Sequence, residues 1–439
     1  MKRALVISYF YPPYNRVGAL RVSKMTRYLA CHGWEATVIT AAHDDVPADL
    51  PLEIPESAVR RVDQGFDILR LPRQMVARRG TQGWRQSSSG PRRANALWKL
   101  AILYRHLMCF PDAQIGWYRP AVRAGLAAIA ELKPSMIFST SLPNTTHLVA
   151  SALSKRTGIP WIAEFRDLWT DNHNFRRVAG LRGAERLLER RTLSRAAALV
   201  TVSELWADTL RRRFANPVHV VPNGFDPTDY PAASADAARR GMFSLAYTGM
   251  FYQGRQNAEP IVEAVATLAR AGEITPESFQ LRLVGHYLQS VMGAAERAGI
   301  LPFVTMDPPV SYRQSLQLQT EATALLFFDW FTGEKGWYSA KIYEYLGARR
   351  RILAISPGET VVSALIDSSG VGATASTSAA AADVLGKWIR EHRATGLLPC
   401  AGEPEVLRRY QRQALAADMA GLFDRYSRSE TDSVSDRDR

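Results

Sequence analysis

The 439-residue chain is expected to fold as α/β, in two doubly wound units of parallel strands. Three observations predict this. Short β-branched or apolar runs alternate with amphipathic stretches from one end to the other. The alternation breaks once, around residues 226–241. The length exceeds what one ordinary core holds, at roughly 150 residues per domain.

Taken in order, the apolar run from Val6 to Phe10 stops at Pro12 and Pro13, a loop with Gly18 follows, and Val22, Met25, Tyr28 and Leu29 then recur at helical spacing. Gly33 ends that helix, and 34–40 supplies a second strand, closing a βαβ unit. Further strands are expected at 66–71, 135–140, 160–164, 199–203 and 218–221, with helices at 118–132, 146–157, 183–197 and 203–214. Pro227, Pro231 and a run of Ala, Ser and Asp mark 226–241 as a linker. Beyond it come strands at 244–248, 279–284, 303–306, 324–328 and 351–355, and helices at 258–271, 290–298, 312–321 and 339–346. The division is therefore an N-terminal domain over 1–225, a C-terminal domain over 242–404 and a long helix at 405–426. The polar tail 427–439 has too little apolar surface to fold, so it is expected to be disordered.

Composition narrows the function. Hydrophobic residues make up 46% of the chain, enough to build a core without metal or disulfide support. Cys31, Cys109 and Cys400 stand far apart without CxxC spacing, which argues against a zinc site or a disulfide framework and for a reduced, cytoplasmic setting. The N-terminus lacks the apolar core of a signal peptide, and charges interrupt every greasy stretch before about 18 residues. Of the formal net charge of +13, most sits in one segment: between Arg60 and Arg123 thirteen Lys or Arg face three Asp, interleaved with Trp84, Trp98, Trp117 and Tyr118. Basic residues among interfacial aromatics suit an anionic membrane surface. A solvated insertion whose arginines keep the protein soluble is the equally economical reading.

In two such domains, ligands bind at the carboxyl ends of the parallel strands. The residues there carry a pattern: Tyr9-Phe-Tyr-Pro-Pro with Gly18 and Arg21, then Glu164-Phe-Arg-Asp-Leu-Trp, Val221-Pro-Asn-Gly-Phe-Asp, Tyr247-Thr-Gly-Met-Phe-Tyr-Gln-Gly-Arg and Lys341-Ile-Tyr-Glu-Tyr-Leu. In order and spacing this resembles glycosyltransferase family 4, retaining enzymes of the GT-B architecture, in which two Rossmann-like domains face each other across a cleft and a C-terminal helix packs back toward the N-terminal domain. The resemblance implies a nucleotide-sugar donor, a glycan or lipid-linked acceptor, no metal or other cofactor, and no nucleic-acid partner. It also implies retention of configuration, with the departing phosphate itself taking the acceptor proton.

The resemblance assigns roles residue by residue. Gly18 and Gly249 lie in loops that approach the donor. Gly18 opens a helix whose N-terminus can meet a phosphate, although a plain turn glycine looks the same locally. Arg255 matches a basic residue set against the donor diphosphate, where a planar guanidinium binds two phosphate oxygens and neutralises the leaving group. Where many relatives carry a second basic residue this chain has Met250, so Lys341, at the first turn of its helix, is the natural replacement. Glu344 matches the glutamate that accepts hydrogen bonds from the donor ribose, and an ion pair with Lys341 one turn away is its plain alternative. The family's other glutamate position is Gly336 here, with Glu334 nearby. On the acceptor side the candidates are Asp167, for orienting the attacking hydroxyl, together with Arg21, Ser141 and His147. Asp167 could equally pair with Arg166 or cap a helix, and a lone helical histidine is commonly a packed core residue. Two other readings of the same architecture remain: a nucleotide-sugar epimerase, which needs acid/base groups in the cleft, and a non-catalytic binding relative, to which Met250, Gly336 and Ser141 point.

Overall fold

The computed structural model describes residues 1–15, 18–43, 48–65, 109–172, 179–231, 241–331, 339–400 and 402–427. The strand expected at 66–71, most of the basic segment, the middle of the linker, Glu334, Gly336 and nearly all of the tail lie outside the described residues. Two compact units emerge, Met1–Val221 with Ala416–Arg439, and Pro222–Leu415.

The first unit is built on β1 (Lys2–Ile7), α1 (Ala19–Leu29), β2 (Trp34–Ala41), β3 (Val59–Val62), α2 (Tyr118–Leu132), β4 (Met136–Ser141) and α3 (Thr145–Thr157). After these come β5 (Trp161–Phe165), α4 (Ala179–Leu193), β6 (Ala198–Thr201), α5 (Glu204–Arg213) and β7 (Val218–Val220). All strands pair in parallel, in the order β3-β2-β1-β4-β5-β6-β7. Helices cover both faces of such a sheet, so the buried stretches of its central strands are largely apolar, with polar residues gathering toward the carboxyl ends of β4 and β5. Leu5, Val6 and Ile7 are fully buried, each contributing roughly 1.5–3 kcal/mol of hydrophobic stabilisation.

The second unit repeats the plan with β8 (Phe243–Met250), α6 (Glu259–Arg270), β9 (Phe279–His286), α7 (Gln289–Arg297), β10 (Val304–Asp307), α8 (Tyr312–Glu321) and β11 (Ala324–Phe328). It continues through α9 (Ala340–Ala348), β12 (Arg351–Ile355), α10 (Val361–Ser369), β13 (Gly372–Ala375), α11 (Ser378–Thr395) and α12 (Pro404–Arg408). The sheet order is β10-β9-β8-β11-β12-β13, again parallel. In each sheet the strand order reverses once, between β1 and β4 and between β8 and β11, and a crevice opens at the carboxyl ends beside such a reversal.

The two-domain α/β expectation holds, with differences at the edges. Strands β3 and β13 were not expected, because VRRV and GATA offer little apolar signal and form at the sheet margins. The single helix expected at 405–426 is two, α12 and α13 (Arg412–Tyr426). The chain between them turns aside to pair with Phe225: the Phe225 amide donates to the Tyr410 carbonyl at 3.0 Å, and the Arg412 amide to the Phe225 carbonyl at 2.8 Å. Helix α13 then packs on the N-terminal sheet. The Phe423 ring lies 5.3 Å from that of Trp34 and 5.6 Å from that of Phe138, and Trp34 Nε1 donates to Asp424 at 3.1 Å. Among the described residues no helix is long and apolar enough to cross a membrane.

Candidate active site

In the second unit the site grows from the end of β8. Gly249 has φ +126°, a conformation that favours glycine, and the end of the Lys341 side chain lies in the space a Cβ there would take. Lys341 reaches across from the first turn of α9, where the Ser339 hydroxyl accepts from its backbone amide at 3.4 Å. Its Nζ stands 4.0 Å from the centroid of the Tyr247 ring, whose hydroxyl is fixed by donating to the Met250 carbonyl at 2.6 Å. Burial pushes the Lys341 ammonium down to about 7, against the opposing charge of Glu344. The result is a cation held by a π-face, at a strand end and a helix N-terminus, both of which favour an anion.

Glu344 lies one turn further along α9. Its Oε2 accepts from Gln319 Nε2 at 3.3 Å, and the same amide donates to Thr248 Oγ1 at 2.9 Å and Ser315 Oγ at 3.1 Å. Glutamate and lysine are thus each held by other groups, one by Gln319 and one by Tyr247. Burial pushes the Glu344 carboxyl above its usual range, opposed by the Gln319 hydrogen bond and then by the charges of Lys341 and Arg412. The helix itself is anchored from behind, where Tyr230 donates its hydroxyl to the Glu344 carbonyl at 2.7 Å and occupies the space a side chain at Gly347 would need.

Arg255 stands further along the loop after β8. Its backbone carbonyl accepts from the Phe331 amide at 2.7 Å, and its guanidinium carbon lies 4.6 Å from the Trp330 ring centroid. That loop is pinned to the end of β11 by Gln256, which donates to the Phe328 carbonyl at 2.7 Å. Asp329 ties the neighbouring strand ends, accepting from the Trp330 amide at 2.8 Å, Ser356 Oγ at 3.0 Å and Thr360 Oγ1 at 2.6 Å. Gly249 and Lys341 therefore touch and Glu344 joins them through Gln319 and Thr248, while Arg255 lies on the loop after β8, stacked on Trp330.

In the first unit, Gly18 has φ +91° and the Arg166 guanidinium fills the space its Cβ would take. Arg166 also donates to Thr140 Oγ1 at 3.1 Å and to the Leu142 carbonyl at 3.3 Å. Arg21 is 5% exposed and donates to Glu164 Oε1 through Nη2 at 2.7 Å and to the Val221 carbonyl at 2.8 Å. Burial alone would raise the Glu164 carboxyl, but the charge and hydrogen bond of Arg21, with Thr140 and Arg166, bring it below its usual range. Ser141 is buried, its hydroxyl donating to the Glu164 carbonyl at 3.4 Å. His147 is buried as well. Its Nδ1 shares a 2.8 Å hydrogen bond with Ser139 Oγ, which also accepts from Trp161 Nε1 at 2.7 Å, and its ring centroid lies 4.6 Å from that of Phe165. Burial, with the charge of Arg166, lowers His147 to about 3, so it is neutral at ordinary pH. Asp167 is half-buried and raised by that burial to about 6, the charge of Arg166 opposing. A carboxyl ionising there can hold or take a proton near neutrality.

Gln319, Asp329 and Arg166 were not singled out from the sequence. Gln319 had a legible signal, being polar on the core-facing side of α8 between Leu316 and Thr320. The other two act through contacts with residues far along the chain. Among the described residues no three His, Cys, Asp or Glu cluster as a metal site.

Residues 18–224 match the family model for a glycosyl transferase 4-like domain. No curated protein matches the sequence. Among solved structures the chain is similar to the sucrose-phosphate synthase of Thermosynechococcus elongatus, with a TM-score of 0.59 and 14% identity over 97% of this chain and 99% of that one. It is similar also to Anabaena HepE, solved in complex with UDP, with a TM-score of 0.52 and 12% identity over 97% and 96%. The UDP-GlcNAc 2-epimerase of Methanocaldococcus jannaschii gives a TM-score of 0.53 and 10% identity over 97% and 99%. Residues 18–224 thus carry a glycosyl transferase 4-like domain, and the chain as a whole shares the two-domain GT-B fold of these solved structures.

Proposed function

We propose that the protein moves a hexose-type sugar from a nucleotide-sugar donor to a glycan or lipid-linked acceptor, with retention of configuration and without a metal ion. The contact of Lys341 with Gly249 beside the Tyr247 ring carries this reading, because a cation at a strand end and a helix N-terminus is what a diphosphate needs. Arg255 supplies a second positive group to the leaving diphosphate, and Glu344, positioned by Gln319, accepts the ribose hydroxyls. The departing phosphate takes the acceptor proton, while Asp167 orients the acceptor hydroxyl. Work at the cytoplasmic face of a membrane agrees with the basic, aromatic-rich stretch of the sequence.

The test is turnover of a panel of UDP-, GDP-, ADP- and dTDP-sugars by the purified protein, with the product anomer assigned by NMR. Slow hydrolysis of one donor, unaffected by EDTA and lost in Arg255→Ala and Glu344→Ala, is expected. Interconversion of the free nucleotide sugars would identify an epimerase, and tight binding without turnover a non-catalytic relative. Loss of activity on chelation removes the metal-free assignment.

A further inference from the structure

On the surface of the first unit a groove of about 600 Å³ opens between α2, α3 and α4. Lys155 and Arg156, from the last turn of α3, and Arg191 and Arg195, from the last turn of α4 and just beyond it, line the groove. Ser151 Oγ donates to the Thr192 carbonyl at 3.2 Å and holds the two helices side by side. Among the described residues no carboxylate lines the groove, and none of the four cations has a hydrogen-bond or ion-pair partner. Tyr118 and Leu148 give it an apolar wall.

Cations at helix C-termini are partly explained by the helix dipole, which places about half a negative charge at each C-terminus. Two ends offset about one of the four positive charges. About three charges are left to repel one another around one concavity, an arrangement that an anion relieves. The apolar wall says what kind of anion. A soluble phosphate has no use for Tyr118 and Leu148, and a nucleic-acid strand needs a longer basic track with several stacking aromatics. A phosphate headgroup with hydrocarbon attached satisfies both surfaces at once.

We propose that this groove is a binding site for the headgroup of an anionic phospholipid and seats the N-terminal unit on a membrane surface. The proposal rests on the reading of the acceptor as lipid-borne. Transfer to a lipid-linked acceptor dispersed in detergent, which needs no vesicle surface, reads the acceptor alone and separates the two failures.

The experiment is co-sedimentation of the full chain with vesicles of phosphatidylcholine alone and of phosphatidylcholine with phosphatidylglycerol. Lys155→Glu/Arg156→Glu and Arg191→Glu/Arg195→Glu are compared with Arg211→Glu/Arg212→Glu, an equal charge change outside the groove. Each groove pair is expected to weaken binding to the anionic vesicles by at least about tenfold. The control pair is expected to change it far less, and all variants to keep the melting temperature and donor hydrolysis of the wild type. Leu148→Gln, which leaves the charge untouched, is expected to weaken binding as well. Equal losses in groove and control pairs would show general surface charge and overturn the proposal, as would undiminished vesicle binding by both groove pairs. Loss of RNA binding with vesicle binding intact would assign the groove to nucleic acid instead.

Discussion

Replacing Lys341 probes the donor grip most directly. Its Nζ lies 4.0 Å from the Tyr247 ring centroid, and burial lowers the ammonium from an ordinary 10.5 to about 7. At 1.36 kcal/mol per unit this is a cost of at most about 5 kcal/mol on the charged form. Because the folded value is depressed, the cost is fully present below about 7 and is relieved as pH rises from there toward 10.5, so stability rises with pH over that window. A bound diphosphate reverses the preference by returning the proton to Nζ. Affinity for UDP or GDP should therefore fall as pH rises above about 7, by up to about tenfold per pH unit. Phosphate groups, with a second pKa of about 6, stay ionised in this range, so the slope belongs to the lysine. Isothermal titration between pH about 7 and about 9 reads it. Lys341→Arg, which stays charged, should bind with a flattened slope, and Lys341→Met weakly with none. A wild-type affinity independent of pH, or a slope that survives in Lys341→Met, refutes the assignment.

Other consequences follow from the same geometry. Gly249→Ala places a methyl group against the Lys341 side chain at a φ of +126°, and should lower nucleotide affinity at least about tenfold; titration showing unchanged affinity would mean the two residues need not touch. Asp167, raised to about 6, is destabilising once ionised, so its cost is absent below about pH 4 and complete above about pH 6. Asp167→Asn should then gain at most about 3 kcal/mol near pH 7 and nothing near pH 4 in denaturant melts, while losing transfer activity; a gain at both pH values would remove burial as the cause. Arg21→Met strands the buried Glu164 carboxylate and should cost about 3–5 kcal/mol, with much of it recovered in Arg21→Met/Glu164→Leu. Melting temperatures of the two variants that match each other would contradict that account.

The fold class was legible because strand and helix periodicities are local: the apolar runs of β1, β8, β11 and β12 and the amphipathic spacing of α1 and α6 need no tertiary partner to be recognised. Edge strands β3 and β13 escaped notice because a half-covered strand needs little apolar signal. Gly18, Gly249, Lys341 and Glu344 could be singled out from the motifs they stand in. What those residues do to one another could not. That the end of Lys341 lies against Gly249, that Arg166 fills the space beside Gly18, and that Gln319 joins Glu344 to Thr248 all depend on sheet order. Parallel pairing brings β8 against β11 and so sets the ends of strands distant in sequence side by side. The sequence by itself determined which elements form and where their glycine and charged punctuation falls. Only the tertiary structure decided which charges are buried, paired or left facing a groove, because burial and Coulomb interaction depend on distances that no local pattern encodes.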